Sequence, residues 1–101
     1  PSIAKIRSPL LADCAGTLSN AFGVMIAGAG QALRGSFLVN PDGVIKAYEI
    51  HDTPIGRNVE ELLRKLEAAQ FVAEHGDQVC PARWKPGSAT LKPGLDLVGK
   101  I

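Results

Sequence analysis

The residues in this chain that could do chemistry are two cysteines and two arginines. Cys80 lies in "HGDQVCPARWKPGS", residues 75–88, with Pro81 beside it and Trp84 four residues on. A thiol reacts as its thiolate, and the nearby cations Arg83 and Lys85 favour that form. On a polar tail the thiol is also reachable by a second thiol elsewhere, although the same position suits an inert cysteine. Arg34 stands at the mouth of a β-rich run, after a glycine-rich stretch. Its fork of donors there can hold a thiolate, a carboxylate or a peroxide oxygen. A solvated strand-start arginine would give the same pattern. Arg57 immediately precedes a helix start, where a cation opposes the helix dipole. An ion pair, a site contact or solvent must compensate it. Cys14 falls between a short apolar run and a short helix, and helix N-termini stabilise thiolates. An inert loop thiol is the simpler reading there.

These side chains need elements to hold them. "SPLLAD", residues 8–13, is a short apolar run closed by turn formers and predicts a buried strand. Thr17 can cap a short helix whose Leu18, Ala21 and Phe22 share a face, with Gly23 ending it. "MIAGAGQAL" has no clear period and predicts a loop. Two β-rich runs then flank Asn40-Pro41-Asp42-Gly43. Pro41 presets φ and Gly43 accepts φ > 0, so an antiparallel hairpin is expected. Its second arm, Val44 to His51, is mixed on both faces and reads as an edge or interface strand.

Asn58 to about Gly76 predicts a helix. Asn58 followed by Glu61 forms a capping box, and Val59, Leu62, Leu63, Leu66, Ala69, Gln70 and Ala73 trace one stripe. Glu60–Arg64 and Glu61–Lys65 stand at i,i+4 spacing, and His75 suits the helix C-terminus. Beyond Gly76 the prolines and glycines predict an extended, mobile arm over residues 77–101, in which "LDLVGK" could add a strand. Trp84 could anchor that arm to a partner or to its own domain. The expected organisation is α/β, in the order β-α-β-β-α, as a body over residues 1–76 followed by the arm.

Composition narrows the function. The chain has 101 residues, with 11 Lys or Arg against 10 Asp or Glu and a net charge of +1. That scatter of charge and only five aromatic residues give no footprint for nucleic acid. No apolar run approaches the ~20 residues that span a bilayer, so no membrane partner is expected. There is no C-x-x-C, and His51 and His75 do not join the cysteines in a ligand set, so no metal is expected. "GAGQAL" lacks the G-x-G-x-x-G spacing and the Lys-[Ser/Thr] of a phosphate loop, and no cofactor is expected. Two cysteines without a disulfide framework and no visible signal peptide suit reduced thiols in the cytoplasm. The start at Pro1-Ser2-Ile3, with Met25 the only methionine, reads as a piece of something longer.

Several stretches read together: "SPLLAD", "AFGV", "LRGSFLVNPDGVIKAYEI", "PIGRNVEELLRKLEAAQFV", "HGDQVCPARWKPGSATLKP" and "DLVGKI". In this order the chain resembles the C-terminal part of the typical two-cysteine peroxiredoxins, most of all their bacterial alkyl hydroperoxide reductase branch. The resemblance implies a thioredoxin-like fold and a parent enzyme that reduces hydrogen peroxide and organic hydroperoxides. It implies that Cys80, in Val-Cys-Pro, is the resolving thiol, carried on an arm because its target lies on a partner subunit. It implies that Arg34, in Arg-Gly-x-Phe, steadies the reacting thiolate and the peroxide, and that Arg57, in Ile-Gly-Arg, supports it through an ion-pair network. The implied partners are a peroxide substrate, a flavoprotein disulfide reductase or thioredoxin as reductant, and a second copy in a homodimer joined along Val44–His51, of the kind that assembles into rings of dimers. The sequence departs from the family at one point. The peroxidatic motif Pro-x-x-x-Thr-x-x-Cys fits neither cysteine, because Cys80 is preceded by Ala73 and Asp77, and Cys14 by Arg7 and Leu11. The chain itself therefore lacks the nucleophile. A non-catalytic module that docks a partner subunit or a reductase through its arm is the alternative.

Overall fold

A computed structural model describes residues 5–100. The element order is α1 (Thr17–Ala21), β1 (Met25–Ile26), β2 (Gln31–Ala32), β3 (Arg34–Val39), β4 (Ile45–His51), α2 (Val59–Glu74) and a 3₁₀ turn at Leu95–Leu97. β3 and β4 form the expected antiparallel hairpin, with Arg34 opposite His51 and Phe37 opposite Tyr48. The turn closes through the Asn40 side chain, whose Oδ1 accepts from the N–H groups of Asp42 (3.0 Å) and Val44 (2.9 Å). Gly43 there has φ 81°, a conformation that costs glycine little. An irregularity at Leu38/Val39 shifts the register by one residue before the turn.

Four local expectations need correction. Residues 8–13 form no strand, and Leu10 and Leu11 are exposed, because no described strand offers their backbone a ladder. The N-cap of α1 is Gly16 (φ 72°), and Thr17, its first residue, does not cap it. The Asp13 carboxylate does that work, accepting from Leu18 N at 3.0 Å and from Ser19 N and Oγ at 2.8 Å. Those N–H bonds hold the Asp13 carboxyl below its ordinary range, the Leu18 bond contributing most. The stretch expected as a loop contains the two-residue ribbon β1–β2, paired Met25–Ala32 and Ile26–Gln31. "LDLVGK" makes a 3₁₀ turn and not a strand.

α2 matches its expected span, and Asn58 Oδ1 caps it by accepting from Glu60 N (3.0 Å) and Glu61 N (3.3 Å). The reciprocal half of the capping box is not formed, because the Glu61 carboxylate faces Arg64. Arg64 thus pairs with Glu61 and not Glu60, while Lys65 reaches across to Glu49 at 3.3 Å. The predicted apolar stripe is covered only in part: Val59, Leu63 and Leu66 are exposed, while Leu62 and Ala69 are half-buried. The covered face includes Leu62, Ala68, Ala69 and Phe71.

Two small clusters hold the molecule. One gathers Val24, Phe22 and Phe37 around the hairpin, with ring centroids 4.6 Å apart for Phe22–Phe37 and 5.7 Å for Phe37–Tyr48. The other stacks Phe71 between His75 (4.1 Å) and Trp84 (5.2 Å). The accessible surface is 8255 Å², against about 5500 Å² for a compact monomer of this mass. Apolar faces of α2 and of residues 10–11 account for part of that excess.

Candidate functional site

Arg34 and Arg57 are each held by a backbone carbonyl near the other in sequence. Arg34 Nε donates to the Thr53 carbonyl at 2.6 Å, in the loop that leads to Arg57. Arg57 Nη1 donates to the carbonyl of Gly35, next to Arg34, at 2.7 Å, and to Ser36 Oγ at 3.0 Å. His51, opposite Arg34 in the ladder, places Nδ1 3.1 Å from the Gly56 carbonyl. The hairpin and the six residues before α2 thus fix two guanidinium groups at one end of the sheet. Among the described residues the compensation of Arg57 comes from neutral oxygens, so the expected ion-pair network is absent around it. Both arginines remain exposed, and each has donors left over to hold an anion or a developing negative charge.

The arm is not a free tail. Val79 and Leu91 exchange both backbone hydrogen bonds, at 2.8 and 3.0 Å, and the Thr90 hydroxyl donates to Gln78 Oε1. Lys92 and Asp77 pair at 3.1 Å. Trp84, 3% exposed, is the most buried core side chain described. Of the two anchoring readings, Trp84 packs on its own domain, against Phe71. The stretch is folded back and not extended as expected, because one large aromatic side chain packs it against α2.

Cys80 sits half-buried against α2, its Sγ 4.0 Å from the Ala68 carbonyl. Arg64, on the same helix face, lies near enough to the thiol for the two charges to interact. Arg64 is held charged chiefly by its hydrogen bonds to Glu61, with Cys80 a smaller contributor. Sequence reasoning missed Arg64 as a site neighbour, since sixteen positions separate it from Cys80. Ala68 lies ten positions beyond Asn58, about 15 Å along the helix axis at 1.5 Å per residue. The thiol therefore rests against the middle of α2, while Arg57 precedes its N-terminus. Cys14 is exposed, and the N–H groups at the start of α1 are taken by Asp13 and not offered to it. Among the described residues no group of His, Cys, Asp and Glu could hold a metal. No helix described is long and apolar enough to cross a membrane.

The class of protein comes from comparison with known proteins. Residues 68–98 match the family model for the C-terminal domain of 1-Cys peroxiredoxin. The reduced 2-Cys peroxiredoxin of Plasmodium vivax is similar in structure, with TM-score 0.80 and 30% identity over 85% of this chain and 44% of that one. The chain is thus a C-terminal peroxiredoxin segment of thioredoxin-like fold.

Within that family it is similar to alkyl hydroperoxide reductase C proteins. It is 55% identical to the one of Pseudomonas aeruginosa over all of this chain and 54% of that protein. It is 50% identical to the one of Escherichia coli K12 over 99% of this chain and 54% of that protein. The crystal structure of Enterococcus faecalis AhpC is 63% identical over 69% of this chain and 42% of that chain, with TM-score 0.65. The chain spans about half the length of the curated relatives it matches.

Proposed function

We propose that this chain is the resolving half of a thiol peroxidase acting on hydrogen peroxide and organic hydroperoxides. The observation that carries the reading is the placement of Cys80. It lies on an arm seated by Trp84 and rests against Ala68, near the middle of α2 and about 15 Å along the helix axis from Asn58, while Arg57 precedes that helix and bonds to the hairpin, so the reading gives it a target other than the site those arginines build. In that reading a cysteine outside this chain attacks the peroxide. Its sulfur takes one oxygen to become a sulfenic acid, and the alcohol or water leaves after protonation. The Cys80 thiolate then attacks that sulfur, a disulfide forms, and the hydroxyl leaves as water. A dithiol reductant, a flavoprotein disulfide reductase or thioredoxin, returns both sulfurs to thiols. Arg34 and Arg57 hold the attacking thiolate and the polarised peroxide.

The division into a body over residues 1–76 and an arm over 77–101 belongs to the same reading. So do cytoplasmic residence and a homodimer, assembled into rings, that pairs β4 with its copy. The exposed faces at Leu10, Leu11, Val59 and Leu63 are surfaces for the half of the relatives' length that this chain does not span.

The test uses a full-length protein carrying this sequence. Peroxide turnover with a dithiol reductant should stop in Cys80→Ser, which should still react once with peroxide and accumulate sulfenic acid. Wild type should show an intersubunit disulfide through Cys80 on a non-reducing gel. The 101-residue chain alone should consume no peroxide above its Cys80→Ser control. Steady turnover by that chain dependent on Cys14, or undiminished turnover by full-length Cys80→Ser, would sink the reading.

A further inference from the structure

We propose that Arg64 is a catch that holds the arm shut, a positioning residue that governs how readily Cys80 leaves α2 to react. This rests on reading Cys80 as a thiol that acts away from its own helix. The Arg64 fork is fully directed. Nε and Nη2 donate to the two Glu61 carboxylate oxygens at 2.7 and 2.8 Å, which fixes the plane of the guanidinium. The remaining edge, Nη1, donates to the Trp84 carbonyl at 3.1 Å. Among the described residues, this bond and the Cys80–Ala68 contact are the polar links between α2 and the arm. The second is weak, because a thiol is a poor donor and 4.0 Å is long. The thiol therefore does not hold the arm. The hold is at Trp84, from its ring against Phe71 and from its carbonyl by Arg64. Trp84 is four residues from Cys80, and its N–H bonds to the Pro81 carbonyl at 2.9 Å, so release at Trp84 loosens the turn that seats the thiol. Lysine cannot substitute, since a single ammonium cannot keep the planar two-edged geometry.

The experiment measures alkylation of Cys80 by iodoacetamide in the full chain without peroxide, mapped by mass spectrometry. Exposed Cys14 in the same molecule is the reference thiol. Arg64→Ala should raise the Cys80 rate relative to Cys14 by about tenfold, as expected when one hydrogen bond to a charged group is lost from a closed state. Arg64→Lys should do nearly the same, and Glu61→Gln should give a smaller rise. The rates are compared at the high-pH plateau, where the thiol is fully ionised and its thiolate fraction drops out. An unchanged Cys80 rate in Arg64→Ala overturns the proposal. So does wild-type behaviour in Arg64→Lys, or a moved midpoint without a faster plateau, since either would make charge alone the role of Arg64. Should circular dichroism show Arg64→Ala to be unfolded, Glu61→Gln decides: a faster Cys80 supports the catch and an unchanged one overturns it. No peroxide enters the measurement, so its failure is distinct from failure of the peroxidase reading.

Discussion

The hairpin and the arm solve the problem of order in opposite ways. β3 and β4 are held by a continuous backbone ladder and a closed turn, yet Val39, Ile45 and Tyr48 lie exposed on it. The arm has a single two-bond bridge and no regular element before its final turn, yet it contributes Trp84, the most buried core side chain described. Ladders need only local pairing, so a hairpin can form while its faces wait for cover. An irregular segment has no such ladder, and its order depends on one anchor. The hairpin should therefore resist side-chain truncation, and the arm should fail at a single residue.

Trp84→Ala is the strongest way to test that contrast. Truncating a buried tryptophan costs about 3–5 kcal/mol. The loss should fall on the arm, with Cys80 becoming as reactive as Cys14 while hydrogen exchange in β3 and β4 stays protected. Trp84→Phe should be far milder. Trp84 Nε1 is buried with no partner among the described residues, so removing that donor costs no hydrogen bond. Loss of hairpin protection in Trp84→Ala would show that the two regions are one cooperative unit.

Gly35→Ala is the converse and should be smaller. A Cβ there would stand 2.9 Å from Val24 Cγ1 and 2.9 Å from Phe37 Cε2, in the hairpin cluster. Overpacking of this kind costs about 1–3 kcal/mol. It would also shift the Gly35 carbonyl that Arg57 holds, so full-length peroxide reactivity should fall with it. Denaturant titration of the two single variants and the double should show additivity within about 0.5 kcal/mol for separate regions. A larger coupling would join them.

The same contrast explains what the sequence disclosed. The hairpin and α2 were legible because their signals are local: a Pro-Asp-Gly turn, an Asn58 cap and helical periodicity. "SPLLAD" misled because apolar composition records a need for cover, while a strand needs a partner, and no described residue supplies one to Leu10 and Leu11. The α2 stripe was right only in part for the same reason: Leu62 and Ala69 are half-buried, while Val59 and Leu63 face no core here. Arg34, Arg57 and Cys80 were each visible as residues. Their arrangement was not, because the Arg34–Thr53 and Arg57–Gly35 bonds span 19 and 22 positions. Arg64 stayed hidden behind its helix pairing, and the neutral oxygens around Arg57 carry no charge pattern to read.

The smallest expected effect is that of acid, and it should reach the arm through Glu61 and Asp77. Arg64 holds the Glu61 carboxyl below its ordinary 4.5, mainly by its hydrogen bonds. Lys92 does the same for Asp77 against an ordinary 3.8, again chiefly by a hydrogen bond. A carboxyl whose folded pKa is depressed binds protons more weakly in the folded chain than in the unfolded one. Its contribution is present above the unfolded value and is lost as pH falls through the folded value. The arm should therefore be indifferent to pH above about 5 and loosen below the ordinary carboxylate range. Both groups are solvent-accessible, so the change should be modest and should shrink at high salt. Trp84 emission, as the single tryptophan, reports it directly. A red shift on acidification that is halved or more in Glu61→Gln, with hairpin protection unchanged over the same range, assigns the loosening to the Arg64 clasp. A red shift that Glu61→Gln leaves intact would assign it to Asp77, or to a general acid expansion if the hairpin opens at the same pH.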